Sequence, residues 1–252
     1  MTILKVSNLS KEYPTFTLHD INFSLEEGRI MGLIGKNGAG KSTIIKSMLN
    51  MVCPNTGKIE IFGEDFFNNE EKCKQSLGIV LGGIDFYQYK KLNVITTVTK
   101  SFYNNWDDIA YQKYLKMFEL DPTKRVNQLS AGMKVKYSIA LALSHNARLL
   151  ILDEPTSGLD PVARDELLDI FQALVQDGTR SIIFSTHIIS DLDKCADDIT
   201  YIQSGKVLLS DGKEQFIKSF QKLKTAEDKT ELSLEEIMLR LERRSRHAKT
   251  IV

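Results

Sequence analysis

No run in the 252 residues approaches 18 consecutive apolar positions. That is the length a helix needs to cross a bilayer, so any role at a membrane calls for a partner chain. The opening Met1-Thr2-Ile3-Leu4-Lys5-Val6 lacks the charged start and long apolar core of a signal peptide. Cysteine is scarce: Cys53, Cys73 and Cys195 are odd in number, far apart and fit no metal-binding spacing. They suit a reducing compartment and small packing roles better than disulfides or a metal centre. Neither charge sign is in excess, with 33 Lys+Arg against 33 Asp+Glu, so no global field draws the chain to nucleic acid and no such partner is expected. Internal repeats and low-complexity segments are absent. What remains, 42% hydrophobic and 26% charged residues, is ordinary for a globular protein able to bury a sizeable core.

One stretch organises the rest. Gly35-Lys36-Asn37-Gly38-Ala39-Gly40-Lys41-Ser42, followed by Thr43, matches G-x-x-x-x-G-K-[ST], the loop that cradles nucleotide phosphates. Glycines let successive backbone N–H groups curl around an anion without Cβ clashes, and the helix that follows adds the positive end of its dipole. Lys41 reaches the terminal phosphates in such a loop, and Ser42 offers a hydroxyl to Mg²⁺, a hard cation that takes oxygen ligands. The flanks agree: Arg29 to Ile34 reads as a buried strand entering the loop and Ile44 to Leu49 as a helix leaving it.

Along the chain, Ile3 to Leu9 and Leu18 to Leu25 alternate imperfectly and predict antiparallel strands. Tyr13 stands between them as a strand-end aromatic, unless a nucleotide base lies nearby. After the turn Pro54-Asn55-Thr56-Gly57 come strands at 58–63 and Leu77 to Leu81. From about 86 to 145 the apolar spacing becomes helical, at Thr97 to Phe102, Ile109 to Leu120 and Met133 to Leu143. Strands return at Leu149 to Leu152 and Ser181 to Phe184 around a helix over Ala163 to Gln176, the order of a right-handed parallel crossover. Ile199 to Ile202 and Lys206 to Leu209 read as a closing hairpin, and the capping box Ser233-Leu234-Glu235-Glu236 opens a last helix with Leu234, Ile237, Met238 and Leu241 on one face. Its basic end, Arg240, Arg243, Arg244, Arg246 and Lys249, suits a helix C-terminus. The expected architecture is α/β: a parallel-sheet core over 1–212 with an antiparallel N-terminal part and a helical insertion at 86–145, then a helical appendage over 213–252.

The apolar strand Leu149-Leu150-Ile151-Leu152 ends in Asp153-Glu154. This places two acids at the carboxyl edge of the sheet, where ligands bind in parallel α/β folds. Asp153 is the candidate carboxylate on the Mg²⁺ side and Glu154 the candidate general base. Further along, Leu129-Ser130-Ala131-Gly132-Met133 resembles the LSGGQ signature of ABC ATPases. Pro155-Thr156-Ser157-Gly158-Leu159-Asp160 resembles their D-loop, and Ser185-Thr186-His187 their switch histidine. Tyr13 falls where that family places its adenine-stacking aromatic. The resemblance covers about residues 1–212, and with it the fold is expected to be a P-loop NTPase (RecA-like) core.

The resemblance implies ATP and Mg²⁺ as ligands, and two nucleotide-binding subunits sandwiching two ATP molecules. Each ATP would lie between the phosphate loop of one subunit, residues Gly35 to Thr43, and the Ser130, Ala131 and Gly132 signature and Asp160 of the other. Glu154, His187 and Lys41 carry catalysis in this reading, and Ser42 and Asp153 the metal. It also implies a separate transmembrane subunit and a place on the cytoplasmic face of the membrane. The finer pattern at Ser101 to Asp107 and Leu141 to His145 resembles ATPases of Gram-positive peptide and antimicrobial exporters, including those of phenol-soluble modulins. A soluble ABC ATPase acting on nucleic acid, the ribosome or an assembly scaffold is the alternative; such proteins often carry two nucleotide domains or a basic surface. Two departures stand out. Ala131 and Met133 replace the consensus Gly and Gln, and Gly82 occupies the place of the Q-loop glutamine, with Gln88 too far on to substitute directly. His19, His145 and His247 match no family position.

Overall fold

The computed structural model describes residues 1–81, 87–224, 228 and 230–250. The strands are β1 (Thr2–Tyr13), β2 (Phe16–Glu26), β3 (Ile30–Ile34), β4 (Thr56–Ile61), β5 (Glu64–Asp65), β6 (Leu77–Leu81), β7 (Leu149–Asp153), β8 (Ser181–Thr186), β9 (Asp198–Gln203) and β10 (Lys206–Gly212). The helices are α1 (Lys41–Met48), α2 (Glu70–Lys74), α3 (Leu92–Lys100), α4 (Asp108–Met117), α5 (Ala131–Ser144), α6 (Pro161–Val175), α7 (Ile189–Cys195), α8 (Lys213–Phe220) and α9 (Leu234–Thr250). Gly82, in the Q-loop place, lies outside the described residues.

Alternation in the first 26 residues builds a long hairpin, which β4 and β5 extend into an antiparallel sheet of order β2-β1-β4-β5. β1 outruns its expected end at Leu9 because register shifts on both sides of Leu9 bend the strand and let pairing continue to Tyr13. The second sheet has the order β10-β9-β3-β8-β7-β6, parallel throughout except for the β9–β10 hairpin. Its central strands are apolar on both faces, as a doubly covered parallel sheet requires.

Those two faces feed two cores. Ile30, Leu150, Leu152, Ile182 and Phe184 point to a core shared with α5, α6 and α7. Met31, Leu33, Leu149, Ile151 and Ile183 point to one shared with α1 and the antiparallel sheet. Period-2 side chains thus let three strands serve as a common wall, with the loops at their carboxyl ends held from both sides.

Helices α3, α4 and α5 are tied by hydroxyls. Thr96 Oγ1, on α3, lies 2.7 Å from the Tyr111 hydroxyl of α4 and 2.8 Å from the Tyr137 hydroxyl of α5, all buried. This cluster explains why α3 begins at Leu92 and not near Thr97: Leu92 and Thr96 face Tyr111 and Tyr137, and the buried contact outweighs the low helix propensity of a β-branched run. α4 stops at Met117, short of Leu120, because Glu119 turns left-handed (φ 53°) and Leu120 N donates back to Leu115 O.

His145, just past α5, is buried, stacks on Tyr103 (centroids 3.6 Å apart, planes 9° apart) and has Nδ1 3.2 Å from the Gln75 carbonyl oxygen. Burial pushes its pKa down to about 4. The unfolded chain protonates this ring near pH 6.5. Its contribution is therefore complete above pH 6.5 and lost as pH falls towards 4, by roughly 3 kcal/mol in all. His145→Phe, which keeps the stack and removes the titration, is expected to flatten the decline of Tm between pH 7 and 4.5; an unchanged slope would contradict it.

At the other end of the sheet, Gly205 in the β9–β10 turn joins three segments. Its carbonyl accepts from His19 N of β2 (2.8 Å), and its N–H donates to the Ala39 carbonyl of the phosphate loop (3.0 Å). Its φ is +76°, and a Cβ there would sit 1.9 Å from the Thr17 carbonyl oxygen, so only glycine fits.

Candidate active site

Residues 35–40 loop between β3 and α1, the strand-loop-helix order expected. Gly40 adopts φ 115°, open to glycine and strained for other residues, and caps α1 without a side chain. Gly35 is pressed against the Ile202 carbonyl oxygen, 2.3 Å from where a Cβ would be. Lys36, Asn37 and Gly38 are exposed, whereas Ala39, Gly40 and Lys41 are buried. The loop is therefore fixed from behind and open in front.

The front is a cleft of about 720 Å³, lined by Thr15, Phe16, Asn37, Gly38, Gly40, Lys41, Ser42, Thr43, Asp153 and Glu154. Lys41 Nζ donates to the carbonyls of Gly35 (2.7 Å) and Lys36 (3.3 Å) and lies 3.4 Å from Glu154 Oε1. Glu154 Oε2 lies 3.4 Å from His187 Nδ1. The carboxylate that follows β7 thus stands between the loop lysine and the residue that follows β8. Glu154 is held there by its backbone: φ is 47°, a left-handed value uncommon for any residue but glycine, and its N–H donates to Ser185 Oγ (2.8 Å).

Ser185 also organises Asp153. Its hydroxyl donates to Asp153 Oδ1 (2.6 Å), and Ser42 Oγ donates to the same oxygen (3.1 Å). Ser42 and Asp153 form a pair of hard oxygen donors at one edge of the cleft, the type Mg²⁺ takes while keeping water and phosphate oxygens for its other positions. Among the described residues no three His, Cys, Asp or Glu side chains cluster as a closed metal cage. The donor set therefore fits a cation shared with a phosphate group.

The remaining sequence candidates lie elsewhere in the chain. Ser130 caps α5, accepting from Met133 N (3.2 Å), so the helix starts at Ala131, two residues earlier than expected, and presents Ser130 and Ala131 to solvent. Gly132 is buried against Ala163 and Leu159. Asp160 caps α6, accepting from Val162 N and Ala163 N (both 3.0 Å). None of these four lines the cleft that holds the phosphate loop. Tyr13, 39% exposed with Lys11 Nζ 5.5 Å above its ring, is not in the lining either. Phe16 and Thr15 are. Phe16 is not among the residues expected from sequence; its signal there is an aromatic three residues past Tyr13, on the first residue of β2.

Residues 18–157 match the sequence profile of the ABC transporter family. The chain is 34% identical over 210 residues to the bacitracin transport ATP-binding protein BcrA of Bacillus licheniformis, covering 82% of this chain and 69% of that protein. It is 33% identical over 226 residues to the lantibiotic transport ATP-binding protein SrtF of Streptococcus pyogenes, covering 86% and 96%. Among solved structures, an ATP-binding subunit of an ABC transporter superposes with a TM-score of 0.82 at 28% identity, covering 96% of this chain and all of that one.

Proposed function

Since the chain belongs to the ABC transporter family and is an ATPase, we propose that it is the ATP-hydrolysing subunit of a membrane exporter of peptide antimicrobials. The observation that carries the chemistry is Glu154 set between Lys41 and His187 at 3.4 Å from each. The names of the bacitracin and lantibiotic relatives support the class of cargo.

In this reading the backbone N–H groups of residues 36–41 and the N-terminus of α1 receive the phosphates, and Lys41 leaves its carbonyl partners for the terminal one. Ser42 and Asp153 would hold Mg²⁺, which when bound neutralises charge on the phosphate oxygens. Glu154 takes the proton of the attacking water, and His187 orients that water and touches the γ-phosphate. Tyr13 stacks on the base, next to its cross-strand partner Phe16, which lines the cleft. Ser130, Ala131 and Gly132 at the start of α5, and Asp160, complete the site on a second nucleotide-binding subunit, either another copy or a paralogue. The position of Ser130, Ala131, Gly132 and Asp160 outside this chain's own cleft supports that division.

Among the described residues no helix is long and apolar enough to cross a membrane, so the transmembrane part is assigned to a separate subunit and this chain to its cytoplasmic face. A groove of about 540 Å³ between β6, α3 and α5 supports the contact: Val94, Val98 and Phe102 line it and are exposed, over a floor of Ile79 and Leu141. An apolar cytoplasmic segment of the transmembrane subunit fits such a surface. Phe102→Glu is expected to reduce copurification with that subunit at least tenfold, equivalent to about 1.4 kcal/mol, while nucleotide affinity stays within twofold. Retention of the complex, or an ATPase stimulated by RNA instead of by a membrane protein, would refute the assignment.

A further inference from the structure

Beneath His187 lies a carboxylate that the site described above does not use. Asp191, in the first turn of α7, is fully buried. Its Oδ2 accepts from Thr156 Oγ1 (2.7 Å) and from Thr186 Oγ1 (3.1 Å). Its Oδ1 makes no hydrogen bond within normal geometry and faces Arg164 Nε at 3.6 Å.

The three partners come from three different segments. Thr186 ends β8 immediately before His187, and its hydroxyl also accepts from Ile188 N (3.0 Å), so it fixes the turn that carries the histidine. Thr156 is two residues beyond Glu154, in the loop that runs to Asp160. Arg164 is in the first turn of α6, beside Ala163, which together with Leu159 packs on Gly132. A buried carboxylate carries a large desolvation cost that an apolar side chain of the same size would avoid, so packing alone does not account for it. Its partners do: it is in contact with the histidine turn, the loop after the general base and the helix that supports Gly132.

We propose that Asp191 is a positioning residue that joins the two half-sites of the chain, holding His187 in register with the 155–160 loop and, through Arg164 and Ala163, with Gly132 of the signature. A change of packing at the signature is then transmitted to the histidine through the Arg164–Asp191 ion pair and the Asp191–Thr186 hydrogen bond. This rests on the sandwich reading given above.

The test uses the purified full-length chain. Asp191→Asn keeps an acceptor for the threonines and removes the charge that faces Arg164. It is expected to lower kcat about tenfold, the effect of one charge-assisted contact, with KM for ATP within twofold and a Hill coefficient that falls towards 1. Placed in a His187→Ala background it is expected to lower kcat no further, because it acts through that histidine. If Asp191→Asn does not fold, Thr156→Val, which removes one donor and keeps the shape, is expected to give the same kcat-selective loss at smaller size. Losses that multiply with His187→Ala, or that change kcat and KM in proportion to Tm, would overturn the proposal. Failure of the sandwich reading is seen separately, as absence of an ATP-induced dimer in Glu154→Gln while the link between Asp191 and His187 persists.

Discussion

Glu154→Gln is expected to abolish steady-state ATP hydrolysis, lowering kcat by about 10²–10⁴-fold, the range assigned to a positioned general base. Binding is expected to survive. Glutamine keeps the volume and left-handed backbone of Glu154, the backbone N–H and not the side chain donates to Ser185 Oγ, and loss of the carboxylate frees Lys41 from a counter-charge at 3.4 Å. ATP affinity should therefore hold or rise while turnover stops. If the second half of the site comes from a second molecule, the ATP-loaded variant accumulates as a dimer, visible by size-exclusion chromatography with light scattering, and reverts to monomer with ADP. Turnover within threefold of the native chain would remove Glu154 as the base.

Gly205→Ala is expected to be the most damaging small substitution. The new Cβ would sit 1.9 Å from a carbonyl oxygen and on a backbone with φ +76°. Left-handed strain costs roughly 1–2 kcal/mol and overpacking against backbone roughly another 1–3. At about 2–4 °C per kcal/mol for a chain of this size, Tm is expected to fall by about 4–20 °C. Because Gly205 N also donates to Ala39 O, ATP affinity should fall with it. Gly63→Ala is the matched control: φ is +77° with nothing within 4 Å of the added carbon, so it carries the backbone strain alone and leaves nucleotide binding untouched. Equal effects from the two would show that the clash at Thr17 is relieved by local movement.

These residues mark where the sequence was readable and where it was not. The phosphate loop, the acids at the end of β7 and His187 were legible because phosphate chemistry demands particular residue types at short, fixed spacings. The buried strands were legible because a sheet covered on both faces leaves uninterrupted apolar runs. The order of the strands was not, since period-2 alternation says which side chains face inward and not which neighbour receives them. Helix ends failed where a tertiary contact or an unusual cap decided them. α3 reaches back to Leu92 because Tyr111 and Tyr137 bury its first turn, and α4 ends on Glu119, a left-handed residue that is not the glycine a reader looks for. Gly205 and Asp191 were invisible for a related reason: each acts by meeting segments distant in the chain, and nothing in its immediate neighbours reports that meeting.

The anchoring of the phosphate loop from behind has a consequence for the entropy of binding. Gly35 is wedged against Ile202 and Ala39 is tied to Gly205, so the loop is ordered when the chain folds and not when nucleotide arrives. A preformed cradle spares the ligand the cost of freezing a flexible segment, which rigid sites convert into affinity. Nucleotide exchange can then proceed without refolding the loop.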